Sequence, residues 1–267
     1  MVSLEVLTQS FEELWPISSK DEWDHPGLAF GSKGSEINRA VLSVDVTAAV
    51  IHEAIEKDAQ LVIAHHPPLL RGVNELGTAT IKGNIASLAI KNDIAVFSAH
   101  TNADKSAIGT GQALARALDV TITGVLDSTS GHGFVATLKS PEILISFSTR
   151  LAKILPSVAA GIKVAGNPEQ LISSIAVAPG AGDSFMANAL AARVDLFITS
   201  DLRHHPAQDY MESNQIGREL ALMDISHWAA ESMWLPLAQA ELAKRHPDVE
   251  FVISELRTDP WDFAVMQ

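Results

Sequence analysis

Short apolar, β-branched runs alternate with helical stretches along almost the whole chain, and this alternation limits the possible folds more than any other feature. Candidate strands run over Arg39–Val46, Gln60–Ala64, Ile94–Ala99, Ile175–Ala178, Asp195–Thr199, Leu220–Met223 and Val249–Ile253. Between them lie helical patterns over Ala48–Lys57, Ile81–Asn92, Ile108–Leu118, Ser184–Ala192 and Trp228–Arg245. Buried runs separated by helices predict an α/β protein with mixed sheets flanked by helices. Between residues 119 and 145 the pattern changes. Val120–Gly124, Gly133–Leu138 and Ile143–Ser146 read as shorter strands with no long helix between them. This stretch predicts a seam, with a first α/β lobe over 1–125 and a second over 126–267 whose C-terminal segment packs back on the first.

At 267 residues the chain is long enough for a sizeable core, and 47% hydrophobic with 19% charged residues is globular composition. A net charge of −13 argues against a broad grip on nucleic acid. There are no cysteines, which excludes disulfides and zinc–thiolate sites and leaves histidine and carboxylate as the metal vocabulary. Met1 to Leu14 carries acidic residues and reads as an amphipathic helix rather than a signal peptide. No apolar run approaches the roughly 20 residues of a membrane span, so a cytoplasmic location is expected.

Three clusters carry metal-grade atoms. His65 and His66 end the run Leu61-Val62-Ile63-Ala64 and are followed by Pro67-Pro68. Neighbours on a strand point to opposite faces, so either the proline pair supplies a turn that brings both to one ion, or the two imidazoles serve different ions. The second cluster is His100-Thr101-Asn102-Ala103-Asp104, in which Asp104 also suits a helix N-cap. The third is His227 and Glu231, four apart and therefore on one helical face, with Asp224 and Ser226 as cap candidates. Each cluster alone has an ordinary structural role open to it. Together, His65, His66, Asp104, His227 and Glu231 are too rich for one structural zinc and natural for two ions sharing a bridging carboxylate.

The halves also echo each other, since His204-His205-Pro206 follows the second buried strand as His65-His66-Pro67 follows the first. The turn Pro179-Gly180-Ala181-Gly182-Asp183-Ser184 leads from a strand into a helix and can present N–H groups to phosphate, although it lacks the Lys-Ser/Thr ending of a P-loop. Trp23-Asp24-His25-Pro26-Gly27-Leu28 and Thr258-Asp259-Pro260-Trp261 are ordinary turns by composition.

His65-His66-Pro67-Pro68-Leu69, His100 to Asp104, Ser200-Asp201-Leu202-Arg203-His204-His205 and Asp224 to Glu231 occur in the order seen in one family. Over essentially its whole length the chain resembles the dinuclear-metal-centre proteins known in bacteria as GTP cyclohydrolase 1 type 2 homologues. Further matches are Asp24 to Leu28, Val44-Asp45-Val46-Thr47, Gly180 to Ser184 and Thr258 to Trp261. His25 stands where the family usually has Asn, Ala103 where a bulkier apolar residue is common, and Arg257 before Thr258 where Asn is usual.

The resemblance implies two interlocked, similar lobes with the metal site in the cleft between them, and assembly as a homohexamer. It implies the same five ligands, holding two divalent ions, and mixed imidazole and carboxylate donors rank zinc or iron before manganese or nickel. The inserted domain of longer members is not expected here. The implied activity is hydrolytic opening of the imidazole ring of GTP by metal-bound water. His204, His205 and His100 are then candidates for catalytic proton transfer or for orienting ligands, and Arg203 with Gly180 and Gly182 for the triphosphate. Two alternatives are a dinuclear hydrolase of another phosphate-containing substrate and a non-catalytic metal-handling assembly.

Overall fold

The computed structural model describes residues 1–213 and 219–265. They form two compact units, the first made of Met1–Gly109 with Trp234–Thr258, the second of Thr110–Met233 with the segment from Asp259. The chain divides at Gly109 rather than near residue 125. The reason is the helix Thr110–Leu118, whose Leu114, Ala115 and Leu118 share a core with Ile175 and Val177 of the second unit.

The first unit is built on a five-stranded sheet in the order Glu250–Ile253, Arg39–Ser43, Leu61–Ala64, Ala95–Ser98, Gly27–Phe30. The first four strands are parallel and the last is antiparallel. Strands covered on both faces read as continuous apolar runs, which is why Leu61, Val62, Ile63 and Ala64 are all fully buried. On one face Val41, Val62 and Val96 pack with Val50, Ile51, Ile85 and Ala89 of the helices Ala48–Glu56 and Ile81–Lys91. The helix Leu4–Leu14 buries Leu4, Leu7, Phe11 and Leu14, spaced for one face. Phe11 meets Phe97 at 4.6 Å, while Trp15 meets Trp234 at 5.3 Å. Both of those indoles donate to the carbonyl of Ile108, at 2.8 and 3.1 Å.

The second unit holds a six-stranded sheet in the order Thr121–Val125, Phe134–Ile143, Leu171–Ala181, Leu196–Ser200, Ala221–Asp224, Lys163–Ala165. Its strands Leu171–Ala181, Leu196–Ser200 and Ala221–Asp224 pair in parallel, and the remaining neighbouring pairs are antiparallel. The strand expected over Ile143–Ser146 is instead the start of a helix, Leu144–Ile154. Leu144, Phe147, Ser148 and Leu151 are its buried residues, a helical spacing that only becomes visible over two full turns. The single helix expected over Trp228–Arg245 is two, His227–Ser232 and Trp234–Arg245. Pro236 has no N–H to donate to the Ser232 carbonyl, so the first helix ends there. No helix among the described residues is long and apolar enough to cross a membrane.

Phe147 is fully buried in the second core, beside Leu114 and Leu144. Phe147→Ala is expected to destabilise the protein by about 3–5 kcal/mol. Urea unfolding checks this, and an unchanged midpoint would contradict the helical placement.

Candidate metal centre

In the first unit, register brings the site together. Ser43 pairs with Ala64 and Ala64 with Ser98, so three parallel strands end at one level. The residues that follow them carry Asp45, His65 with His66, and His100. This carboxyl end of a parallel sheet is where α/β proteins bind ligands. The amides of His65 and His66 still donate to Ser43 and Val44, after which Pro67 and Pro68 offer no donor. The backbone turns there, and the two rings lie 5.0 Å apart. One ring nitrogen from each of His65, His66 and His100 falls within 4.8 Å of the others, a group that could hold a metal ion.

Each ring is oriented through Nδ1. His65 Nδ1 lies 2.9 Å from the Ala99 carbonyl, His66 Nδ1 2.7 Å from Asp45 Oδ1, and His100 Nδ1 2.8 Å from Asp24 Oδ1. An acceptor at Nδ1 keeps the proton there and leaves Nε2 with the lone pair, the arrangement found around metal-binding histidines. Asp104 closes the short helix Thr101–Asp104 and places Oδ1 3.6 Å from His65 Nε2. Two ligands at about 2.0–2.2 Å on one tetrahedral ion lie roughly 3.4 Å apart, so this spacing suits a shared ion.

Asp24 is fully buried. Burial pushes its carboxyl up, but His100 and Thr101 outweigh this and hold it well below the usual carboxylate range. Thr101 donates to it through both the amide, at 3.0 Å, and the hydroxyl, at 2.5 Å.

The second unit repeats the device. Ser226 caps the helix that His227 opens, accepting from the Ala229 amide at 3.2 Å and donating to Asp259 at 2.6 Å. His227 Nδ1 lies 2.7 Å from Asp201 Oδ2, and Nε2 lies 2.9 Å from Glu231 Oε1. Asp201 follows its strand with φ 57°, a left-handed conformation that aspartate tolerates. Burial alone would lower the His227 pKa, yet Glu231 and Asp201 outweigh it and push it up to about 11.

Gly180 has φ +78°, and a Cβ there would lie 2.8 Å from Glu231 Oε1. A Cβ on Gly182 would lie 1.9 Å from Thr199 Oγ1. Both glycines therefore have a packing reason of their own.

Among the described residues, His204 and His205 belong to no group close enough to share an ion; they are exposed, with rings 5.1 Å apart. Arg203 is exposed and its Nε donates to Asp183 at 2.5 Å. The turns at Trp23–Leu28 and Thr258–Trp261 are not ordinary. They supply Asp24, the Thr258 hydroxyl that donates to Asp45 at 2.5 Å, and Asp259. Asp24, Asp45 and Asp201 are the functional residues that sequence reasoning missed. Their signal was a carboxylate just past a strand end, or in a turn, for His66, His100 and His227.

The sequence profile of the Duf34/NIF3 (NGG1p interacting factor 3) family matches residues 2–260. A Streptomyces coelicolor protein named GTP cyclohydrolase 1 type 2 homolog is 38% identical, covering 96% of this chain and 92% of its own length. A Clostridium perfringens protein of the same name is 32% identical over 94% of this chain and 96% of its own. A Bacillus cereus protein related to NIF3 has the same fold, with a TM-score of 0.91 at 21% identity over 99% of this chain and 100% of that one.

Two outcomes are expected. Asp201→Ala releases the His227 ring and weakens divalent-metal affinity by about 10- to 100-fold, measured by competition with a chelating dye. Metal uptake also gains with pH. The His227 proton stabilises the metal-free fold fully below pH 6.5, and this contribution is lost as pH rises through about 11. A metal must displace that proton, so between these limits affinity rises by up to about tenfold per pH unit, with proton release visible in calorimetry. A flat pH profile would contradict this assignment.

Proposed function

This chain belongs to the Duf34/NIF3 family, and from that premise we propose that it is a dinuclear divalent-metal protein acting as a hydrolase. His65, His66, Asp104, His227 and Glu231 are its ligands. The observation that carries the reading is the shared treatment of the imidazoles. His65, His66 and His100 each have Nδ1 beside a carbonyl or carboxylate oxygen, which reserves Nε2 for a ligand, and His227 is held the same way at Nδ1 while its Nε2 faces Glu231 Oε1 at 2.9 Å. The 3.6 Å between His65 Nε2 and Asp104 Oδ1 supports a shared ion.

Mixed imidazole and carboxylate donors suit zinc or iron first, then manganese or nickel. Such ions, when bound, supply Lewis acidity and lower the pKa of water toward neutrality. The residues of the chain do the rest. Asp104 and Glu231 each have two oxygens to share and are the bridging candidates. Asp24, Asp45 and Asp201 fix the rings. His100, His204 and His205 are the candidates for moving protons, and Arg203 with the Gly180–Gly182 turn for meeting phosphate.

Relatives that carry the name GTP cyclohydrolase 1 type 2 homolog make GTP the first substrate to test, through hydrolytic opening of its guanine imidazole ring. A homohexamer is part of the same proposal. The second reading, a metal-handling assembly without turnover, has the same donors in its favour.

Elemental analysis of gently purified protein should find about two divalent ions per chain, with Asp104→Ala and Glu231→Ala each losing metal. Protein that stays empty after reconstitution with zinc, iron and manganese sinks the proposal. Tight, reversible uptake with no turnover of GTP or phosphodiesters moves the reading to metal handling.

A further inference from the structure

Of the indoles in the first unit, Trp15 and Trp234 are 1% and 0% exposed, whereas Trp23 is 57% exposed. A large exposed aromatic is informative when its position is fixed and its neighbours are functional. Trp23 meets both conditions. Its ring stands edge-on to His100, with centroids 5.8 Å apart and planes at 80°. His100 in turn lies 5.1 Å from the His65 ring and 5.4 Å from the His66 ring.

The turn that carries Trp23 is clamped on both sides. The Asp24 amide donates to the Asp21 carbonyl at 3.0 Å, and the Asp21 amide donates to Thr101 Oγ1 at 3.0 Å. Lys20 Nζ reaches the Asp24 carbonyl at 2.7 Å, and Lys105 Nζ reaches Asp21 Oδ1 at 2.5 Å. The Asp24 carboxylate, which orients His100, also accepts the His25 amide at 2.8 Å. Asp24 therefore orients the imidazole through its carboxylate and anchors the turn that carries the indole through its backbone. A core role does not explain an indole more than half in solvent, and a flexible surface role does not explain the clamp.

We infer that Trp23 is a positioning residue that stacks a planar heteroaromatic ring of the substrate beside the His65–His66–His100 group. This deepens the hydrolase reading and rests on it. An indole face accepts any flat aromatic ring and asks for no particular hydrogen-bond pattern, so it selects a chemical class, the nucleobases and related heterocycles. Phosphate recognition is left to other residues.

The test compares GTP with inorganic tripolyphosphate on metal-reconstituted protein, by calorimetry, for the wild type, Trp23→Ala and Trp23→Phe. Trp23→Ala should weaken GTP about tenfold or more, while tripolyphosphate binding and metal per chain stay unchanged. Trp23→Phe keeps a ring and should recover most of the GTP affinity. Equal loss for both ligands, no loss for either, or a fall in metal content with Trp23→Ala overturns the inference. Wild-type protein that holds metal but binds no GTP overturns it and leaves the metal centre standing. Wild-type protein that takes up no metal removes the hydrolase reading and this inference with it.

Discussion

A neutral imidazole has one lone pair, and the hydrogen bond at its other nitrogen decides where that lone pair points. Every other feature of the candidate centre depends on that constraint being met. The Ala99 carbonyl, Asp45, Asp24 and Asp201 meet it for His65, His66, His100 and His227. The acceptors are themselves fixed, Asp45 by the Thr258 hydroxyl and Asp24 by both donors of Thr101. Strand register then does the positioning. Because Ser43, Ala64 and Ser98 end their strands side by side, the chain needs only one or two further residues to deliver each functional group.

Much of this was legible in the sequence. The apolar runs before His65 and His100 predicted strands, and the four-residue spacing of His227 and Glu231 predicted a shared helical face. Both are local patterns, and local patterns survive folding when the core is built on them. The acceptors were not legible for the opposite reason. Asp24 lies 76 residues from His100 and Asp45 lies 21 from His66, so nothing near either aspartate announces its partner. A buried carboxylate in a turn has the same sequence signature as an exposed one. The helix at Leu144 was hidden differently. Its opening Leu-Ile-Ser follows a strand directly, and only the reach to Leu151 separates a period of 3.6 from an apolar run.

The hydrophobic cores of the two units are built from residues other than these polar groups. Val41, Val62 and Val96 in one unit, and Leu144, Phe147 and Ile175 in the other, pack without any help from the histidines. Small zinc domains fold around their ion because they have no such core. In this chain the candidate donors are held by register, helix caps and buried hydrogen bonds, so the arrangement is organised by the fold itself.

Such preorganisation carries an electrostatic cost, since carboxylates close together in a partly buried setting repel one another and lose hydration. In the second unit the cost is offset by a proton. His227 sits between Asp201 and Glu231 and holds its proton with a pKa pushed up to about 11, because its positive charge is what those two carboxylates require. A divalent ion, if bound by His227, would supply positive charge to the same two carboxylates. Proton and metal are therefore alternative counter-charges for one arrangement of oxygen atoms. The geometry that makes His227 a tight proton holder when the metal is absent is the geometry that suits it as a ligand.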